Sequence, residues 1–384
     1  MDNEVDKKNI IVEAYAKAIE VLDLCKTSHG FFAAYPGYDA LWSRDSMITS
    51  LGASLLEEKY QETFKQSLIN LAENQSELGQ IPNAVDKFVK KEGRISHVDF
   101  KSIDSTLWFV IGHYIYSKRY KTSAMEKSYT SNLNKALTWL SYQDFSENGM
   151  LVQQPTSDWF DAFPHRYGHT LNTNILYYHV LKITGQTSKA QKLKIMINED
   201  KDDKLWSEEN GYYYSWRWKN HGQYKEIGDF FETLANLLTI IFDVANEHQS
   251  NKILNYIKKH HLDLPYPVKT LHPPIKKGSK YWYDYFEDCA AKKPYNYSNA
   301  GIWTYIGGFY VLALIKMNKI KEAEKQLKKL AEANMQTPYF SEWLHGNTGK
   351  PGISQSGSNE GNQAWNAGVY ILAYESLLKG KVLL

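Results

Sequence analysis

Apolar residues recur three or four positions apart along most of the chain, which is the spacing of an α-helix with a buried face. Aromatic and polar loops, broken by glycine and proline, separate these segments. The segments predicted as helices are residues 10–24, 47–56, 61–73, 104–120, 127–142, 171–184, 188–197, 229–245, 251–260, 303–317, 321–333 and 364–378. Residues 212–218 differ, because aromatic and polar residues alternate there and predict a short strand or hairpin.

The helix pattern repeats along the chain. Polar and aromatic motifs open every second helix, at intervals of about 60 residues. The six motifs lie near Asp45, Asp104, Gly168, Phe230, Asn299 and Gln363. This period is too long for a tetratricopeptide repeat and differs from the strand–helix alternation of α/β folds. We therefore predict an all-α fold, an (α/α)6 toroid of six helical hairpins, with residues 1–384 as a single domain and a cleft at one end.

Composition narrows the possible functions. The 384 residues carry a net charge of +2 without a cluster of basic side chains, so neither nucleic acid nor an anionic membrane is expected as a partner. Cys25 and Cys289 are too few for a disulfide framework or a zinc site, and no cofactor is expected. The absence of a signal peptide and of a membrane-length apolar run favours a cytoplasmic protein. The 28 tyrosines and 11 tryptophans, many in loops, favour a sugar-binding cleft.

Residues 156–178 carry the strongest chemical signal. Asp158 and Asp161 lie beside the rings of Trp159 and Phe160. Burial beside aromatic rings raises the pKa of a carboxyl group, and a general acid must be protonated at neutral pH. The alternative is a solvated turn whose rings cover a neighbouring helix.

A second loop of this kind lies far downstream, in residues 339–346. It places Glu342 next to Trp343 and close to Tyr339 and Phe340. Two carboxylates that face one bond are the minimal equipment for hydrolysing a glycoside. The pair of loops therefore predicts a glycosidase rather than two unrelated turns.

Trp42, Arg44 and Asp45 form a third polar and aromatic cluster, at the start of a helix. Asp45 alone would fit a helix cap, since an acid is favoured at a helix N-terminus. A cap requires neither the arginine nor the tryptophan beside it. The cluster is therefore a candidate for binding substrate.

Other titratable residues are weaker candidates. His165 and His169 are four positions apart, but Gly168 places them in a loop rather than on one helix face, and no metal is expected. Asp229 and Glu232 precede a predicted helix, and we favour helix capping over a place in the cleft.

Several motifs together resemble the six-hairpin glycoside hydrolases, which include neutral/alkaline invertases and the glucosidase part of glycogen debranching enzymes. Those similar to debranching enzymes are residues 42–48, 79–83 and 104–108. Those similar to the C-terminal signature of invertases are residues 297–303, 307–309, 331–334 and 342–349. Residues 161–178 resemble the invertase motif that contains the catalytic acid. The resemblance covers nearly the whole chain in order.

The resemblance implies that Asp161 is the general acid and Glu342 the general base. It favours Asp161 over Asp158, which would orient or cap. The candidates for substrate binding are Trp42, Arg44, Asp45, Asp104, Trp159, Asn174, Trp303, Gln363 and Trp365. Of these, Trp303 and Trp365 fit the core equally well.

Two departures from the invertase pattern leave the substrate open. The Asp-Arg-Arg of invertases is Asp161-Ala162-Phe163 here, and the glutamate usual in the next helix is Asn172.

The predicted function is an inverting glycoside hydrolase that releases glucose from the non-reducing end of small α-glucosides, either sucrose-like or short oligosaccharides. One alternative is an amylo-α-1,6-glucosidase that acts on branch stubs. Further alternatives are a catalytically inactive carbohydrate-binding barrel and a helical scaffold that binds peptide. A small carbohydrate is the expected partner, and a homo-oligomer remains open.

Overall fold

The computed structural model describes residues 2–89, 95–199, 204–221, 223–353 and 361–384. Its helices are α1 (Asp2–Cys25), α2 (Ser43–Ala53), α3 (Gln61–Glu73), α4 (Asp104–Tyr120), α5 (Ala124–Ser128), α6 (Thr130–Ser141), α7 (Leu171–Ile183), α8 (Thr187–Glu199), α9 (Thr233–Ile241), α10 (Glu247–Lys259), α11 (Thr304–Lys316), α12 (Ile320–Asn334) and α13 (Ala364–Lys379). The prediction of a predominantly helical chain is confirmed.

Ten strands lie in the described ranges, and eight of them have only two or three residues. The ten are β1 (Lys26–Thr27), β2 (Gly30–Phe31), β3 (Leu41–Trp42), β4 (Ala84–Asp86), β5 (His97–Asp99), β6 (His169–Thr170), β7 (Trp206–Ser207), β8 (Tyr212–His221), β9 (Tyr224–Glu232) and β10 (Leu271–His272). Strands β8 and β9 are longer, and β3, β6 and β9 lead directly into helices. The predicted strand at residues 212–218 is confirmed as β8, which pairs with β9 as an antiparallel hairpin. The predicted helix over residues 229–245 begins later, because residues 229–232 belong to β9 and pair with β8 and β10.

Six helices contact one another in a closed cycle. In order around the cycle they are α2, α4, α7, α9, α11 and α13, and α13 contacts α2 again. These helices begin at or a few residues after the six repeated motifs of the sequence. Every residue of α2 and α9 is buried, as expected for helices that are covered on all sides.

The remaining long helices pack on the outside of this cycle. Helix α12 contacts α11, α8 contacts α7, and α3 contacts both α2 and α4. On α12 the buried positions include Ala323, Leu327, Leu330 and Ala331, which lie on one face. Charged side chains occupy its other face, so α12 is amphipathic, and the described chain has an inner and an outer layer of helices. None of the described helices is both long and apolar enough to cross a membrane.

Strands and bridges hold the segments that enter the inner helices. Strand β3 pairs with β4 and ends at Trp42, directly before α2. Strand β6 pairs with β8 directly before α7. An antiparallel bridge between Ile302 and Leu344 holds the segment before α11. The N-terminal ends of the inner helices are therefore fixed, and side chains there have defined positions.

Helices α2 and α13, the first and last of the cycle, approach each other through two glycines. A Cβ atom at Gly52 would lie 1.7 Å from the carbonyl oxygen of Gly368, and one at Gly368 would lie 2.4 Å from the carbonyl oxygen of Thr49. Only glycine permits backbones to pack this closely. The contact closes the cycle.

We expect Gly52→Ala to destabilise the protein by roughly 1–3 kcal/mol or more, because the added methyl meets backbone atoms that cannot rotate away. Gly112→Ala is the matched control, since a Cβ there meets the sulfur of the flexible Met47 side chain at 2.2 Å. The free energy of unfolding, measured by chemical denaturation, should fall more for Gly52→Ala. Equal losses for the two variants would contradict the close packing of α2 on α13.

Candidate active site

A small cavity lies where the N-terminal ends of α2, α11 and α13 meet the loops that carry the two candidate catalytic carboxylates. Its volume is about 130 Å³. The residues that line it are Ala33, Tyr38, Trp42, Arg44, Asp45, Trp159, Asp161, Tyr297, Trp303, Glu342, Gln363 and Trp365. Both candidate catalytic residues and most predicted substrate-binding residues therefore share one cavity.

A second, larger depression adjoins the small cavity. This outer groove has a volume of about 760 Å³ and runs along the segments 80–83, 99–103 and 152–157. Trp42 and Asp161 line both spaces, whereas Glu342 lines the small cavity and is not among the residues of the outer groove. Asp161 therefore lies at the junction of the two spaces, and Glu342 lies to one side of it.

Asp161 is held by a loop that is fixed at several points. The backbone N–H of Ile103 donates to the carbonyl oxygen of Ser157 at 2.8 Å, and the N–H of Trp159 donates to Asp104 Oδ2 at 3.0 Å. Asp161 keeps part of its surface in contact with solvent at the mouth of the cleft. The many protein atoms around its carboxyl group nevertheless remove much of the water that would stabilise the ionised form. That desolvation raises the pKa of Asp161 to about 6, against the opposing charge of Arg44.

Glu342 lies in a loop fixed to two inner helices. Leu344 and Ile302 exchange backbone hydrogen bonds of 2.8 Å in front of α11. Asn366 of α13 donates from its side chain to the carbonyl oxygen of Ser341 at 2.8 Å and accepts from the N–H of Tyr305 at 3.0 Å. The backbone on both sides of Glu342 is therefore anchored. The Glu342 side chain is 6% exposed.

Arg44 and Asp45 occupy the first turn of α2. Arg44 Nη1 donates to both oxygens of Asp104, at 2.9 and 3.2 Å, and Ser102 donates to the same carboxylate. Burial raises the pKa of Asp45 to about 6, while Arg44 lowers it and Asp161 raises it further. The guanidinium group of Arg44 thus lies among three carboxyl groups, those of Asp45 and Asp161 in the cavity lining and that of the buried Asp104 behind it, which is a suitable setting for a neutral ligand rich in hydroxyl groups.

Asp158 belongs to a buried ion cluster behind the cavity. Arg166 donates to Asp158 Oδ2 at 2.5 Å and also to Glu232, and all three side chains are fully buried. Asp158 also accepts from the backbone N–H of Phe160 at 3.0 Å. Because both oxygens are engaged and without solvent access, Asp158 orients the loop and is unsuited to transfer a proton to a substrate.

Glu232 completes this cluster rather than capping a helix. It precedes α9, but its side chain makes no cap hydrogen bond. Instead it accepts from Ser215 at 3.1 Å and from Trp159 Nε1 at 3.4 Å, besides Arg166. Burial raises its pKa to about 7. Asp229 lies on β9 and binds Lys280, so the predicted capping roles of both residues are wrong.

Aromatic rings form one side of the small cavity and contact each other. Trp303 makes edge-to-face contacts with Trp159 and Trp365, with ring centroids 6.1 and 5.6 Å apart. Trp365 stacks on Tyr305 at 4.2 Å. Trp303 and Trp365 are therefore part of the core and also line the cavity. The rings offer a fixed apolar surface of the kind that binds the apolar face of a sugar.

Besides Arg44 Nε, three buried N–H groups of residues that line the cavity have no hydrogen-bond partner in the protein within the described ranges. They are Trp42 Nε1, Trp365 Nε1 and Gln363 Nε2. Buried donors without an acceptor are uncommon in proteins, and each calls for a ligand or ordered water. Hydroxyl oxygens would satisfy all three.

Two predicted substrate-binding residues lie outside the cavity lining. Asp104 is fully buried and positions Arg44 and the Trp159 backbone. Asn174 accepts from the N–H of Leu151 at 2.8 Å and donates to the carbonyl oxygens of Leu151 and Thr170 at 3.0 and 2.9 Å. We therefore correct the predicted sugar contact of Asn174, because backbone groups use its amide.

The sequence did not identify Tyr38 and Ala33 as site residues, although the structure places them in the cavity lining. Tyr297, which in the sequence fits the core and a sugar subsite equally well, also lines the cavity. Tyr38 ends an aromatic loop broken by proline and glycine, shortly before the Trp42 cluster, which was the available signal. Arg166 gave no signal, because a charged residue in an aromatic loop is usually exposed.

His165 and His169, which are four positions apart in the sequence, have different surroundings in the fold. His165 stacks on Tyr283 at 4.1 Å and shares a hydrogen bond of 2.8 Å with Tyr285, whereas His169 lies in β6. Within the described ranges, no group of three or more histidine, cysteine, aspartate or glutamate side chains is placed to hold a metal ion.

Comparison with known proteins identifies relatives by sequence. Residues 204–379 match the family model described as alkaline and neutral invertase. The chain is similar to the probable alkaline/neutral invertase A, chloroplastic, of Arabidopsis thaliana, with 31% identity over 122 residues. It is 27% identical to the alkaline/neutral invertase C, mitochondrial, of the same plant over 122 residues. Each match covers 31% of this chain but only 19% and 18% of the relatives.

Solved structures share the fold over nearly the whole chain. The GH63 mannosylglycerate hydrolase from Thermus thermophilus, in complex with Tris and D-glycerate, superposes with a TM-score of 0.70 at 12% identity, covering 93% of this chain and 99% of that one. A rhamnosidase from Klebsiella oxytoca with rhamnose bound superposes with a TM-score of 0.65 at 15% identity, covering 96% and 64%. The predicted resemblance to invertases is therefore confirmed over residues 204–379, which match the alkaline and neutral invertase family, and the chain shares its fold with these two solved glycosidases.

Proposed function

We propose that this protein is an inverting glycoside hydrolase in which Asp161 is the general acid and Glu342 the general base. The observation that carries this proposal is the placement of the two carboxylates. Asp161 lies at the junction of the small cavity and the outer groove, where the oxygen between a bound sugar and its leaving group would lie. Of the two spaces, Glu342 lines only the small cavity, which would hold the sugar. The attacking water would be held there, beside Glu342.

In the proposed reaction, protonated Asp161 donates its proton to the glycosidic oxygen as the bond to the sugar carbon breaks. Ionised Glu342 accepts a proton from a water molecule, which attacks that carbon from the opposite face. Inverting enzymes leave roughly 6.5–9.5 Å between the two carboxyl groups for this water. The pKa of about 6 supports the role of Asp161, because about a tenth of the group stays protonated at pH 7, far more than for an aspartate with the usual pKa of about 3.9.

The substrate would be an α-glucoside that donates its non-reducing glucose to the small cavity. Gln363 and the two unpaired tryptophan N–H groups would donate to sugar hydroxyls, while Asp45 would accept from them. The cavity is smaller than the roughly 300–1,000 Å³ of drug-sized ligand sites, which favours one sugar ring and release of one sugar at a time. Similarity to invertases adds sucrose-like substrates to the candidates.

We also propose that the helices form a toroid, which would carry this active site at one end. The closed cycle of inner helices and the outer layer support an (α/α)6 toroid that forms one catalytic domain. The active site would occupy the end of the toroid at which the inner helices begin, since Trp42, Trp303 and Gln363 each immediately precede an inner helix.

We expect Asp161→Asn and Glu342→Gln each to lower kcat by about 10²–10⁴-fold, since each removes one proton-transfer group. Glucose release from sucrose, maltose and isomaltose measures activity, and NMR during hydrolysis identifies the first anomer formed. β-Glucose is expected from a single displacement by water. Initial α-glucose would show a covalent intermediate and contradict the role of Glu342.

The stability of Asp161→Asn separates a catalytic loss from misfolding. Because folding raises the pKa of Asp161 above its unfolded value, its contribution to stability is present at low pH and is lost as pH rises through about 6. Above that pH the ionised group opposes folding. The asparagine variant should therefore keep or raise the thermal midpoint at pH 8, whereas a lower midpoint would indicate a structural role.

The pH dependence provides an independent prediction. For the wild-type protein, kcat/KM should fall as pH rises above about 6, because the acid then loses its proton. α-Glucosyl fluoride is the matched control, since its fluoride leaves without protonation and its hydrolysis should lack this alkaline decline. The same decline with both substrates would exclude Asp161 as the proton donor.

A further inference from the structure

The outer groove extends away from Asp161 and has a larger volume than the small cavity, about 760 Å³ against about 130 Å³. If one sugar ring fills the small cavity, a leaving group of a single ring would fill only part of the outer groove. The dimensions therefore indicate that a longer leaving group is accommodated on this side of the scissile bond.

The lining of the outer groove is rich in amides. Gln80, Asn83, Gln143, Gln153 and Gln154 contribute to it. Primary amides bind hydroxyl groups in both directions, because each offers an acceptor oxygen and a donor nitrogen. This is the chemistry that recognises neutral sugars.

Two of these amide side chains are buried. Each has one polar atom without a hydrogen-bond partner in the protein, within the described ranges. Gln153 is 2% exposed; its oxygen accepts from Thr170 and Thr173 at 2.6 Å, and its nitrogen is unpaired. Asn83 is 6% exposed; its nitrogen donates to Asp99 at 2.9 Å, and its oxygen is unpaired. A sugar hydroxyl both donates and accepts, so a chain of sugars supplies partners for both.

Charge in the outer groove does not favour an ionic leaving group. Asp99 and Lys101 lie 3.9 Å apart and offset each other. Among the described residues of the lining, the remaining charged residue is Asp161 itself, which must be protonated to act. An anionic leaving group would find no unbalanced cation among these described residues.

Trp139 adds an aromatic surface to this lining. Its side chain is partly buried against the core, while part of it remains open to the groove. A partly exposed indole ring in an amide-lined groove is suited to stack on a pyranose or furanose ring.

We propose that the outer groove binds a leaving group of at least two neutral sugar units, so that the preferred substrate is an oligosaccharide of three or more units rather than a disaccharide. This inference rests on the proposed function, because it takes Asp161 as the boundary between the released sugar and the leaving group. A reaction that adds sugars to an existing glucoside would supply such a substrate.

Three series of α-glucosides with terminal glucose test the inference. They are sucrose, 1-kestose and nystose; maltose, maltotriose and maltotetraose; and isomaltose, isomaltotriose and isomaltotetraose. Within the series that is hydrolysed, kcat/KM for glucose release should rise about 10-fold or more from two to three or four units, because binding of the distal units contributes to transition-state stabilisation. A flat or falling profile would overturn the inference and leave the proposed function intact.

Substitutions in the outer groove test whether the dependence of kcat/KM on substrate length arises there. Trp139→Ala and Gln154→Ala should lower the ratio of kcat/KM for the four-unit to the two-unit substrate. Gln154 is exposed, so that variant keeps the test available if Trp139→Ala fails to fold. Tyr142→Ala is the matched control, because Tyr142 is 78% exposed near Trp139 and is not part of the groove lining. An unchanged ratio in both groove variants would contradict the assignment.

A binding experiment distinguishes a failure of this inference from a failure of the proposed function. If the wild-type protein hydrolyses none of the nine compounds, the proposed function fails, and calorimetric titration of the same compounds decides the groove. Tighter binding with increasing length, weakened by Gln154→Ala, would then support the groove as an oligosaccharide site. Binding that does not depend on length, or no binding at all, would overturn it.

Discussion

Asp158 and Glu232 are carboxylates without access to solvent, and Arg166 lies between them. Burying an isolated charge costs several kcal/mol, and removing one partner of a buried pair typically costs about 3–5 kcal/mol. The loop that carries Asp161 therefore cannot move independently of β9 without separating these charges. Phe160, whose ring lies 4.4 Å from the guanidinium carbon, and Trp159, which contacts Glu232, extend the same constraint to the cavity.

A second ion pair performs the corresponding task at the start of α2. Arg44 is held by Asp104, and Asp104 also accepts from the backbone of Trp159. One carboxylate thus fixes both the guanidinium group of α2 and the aromatic loop that precedes α7. Asp45 and Asp161 keep elevated pKa values in this environment because desolvation outweighs the opposing charge of Arg44. The charges around the cavity are fixed before any ligand arrives.

Much of this architecture follows from local sequence patterns. Asp104 and Gln363 mark the starts of inner helices because polar residues are favoured there, and both starts were predictable. The start of α9 was misplaced, since the short apolar run at Phe230 and Phe231 suits strand and helix equally. Arg166 was missed because Glu232 lies 66 positions away, and only the folded chain shows that the two meet.

The close contact between α2 and α13 means that the cavity draws on both ends of the described chain. Trp42 and Arg44 lie at the start of α2, and Gln363 and Trp365 at the start of α13. Helix α13 also contacts α1, where Tyr15 donates to Glu375, 360 positions later. During synthesis on the ribosome, α2 cannot gain its contact with α13 until α13 has been made. Such long-range closure slows folding. Because Gln363 and Trp365 line the cavity, its complete lining assembles only after nearly all of the described chain has been synthesised.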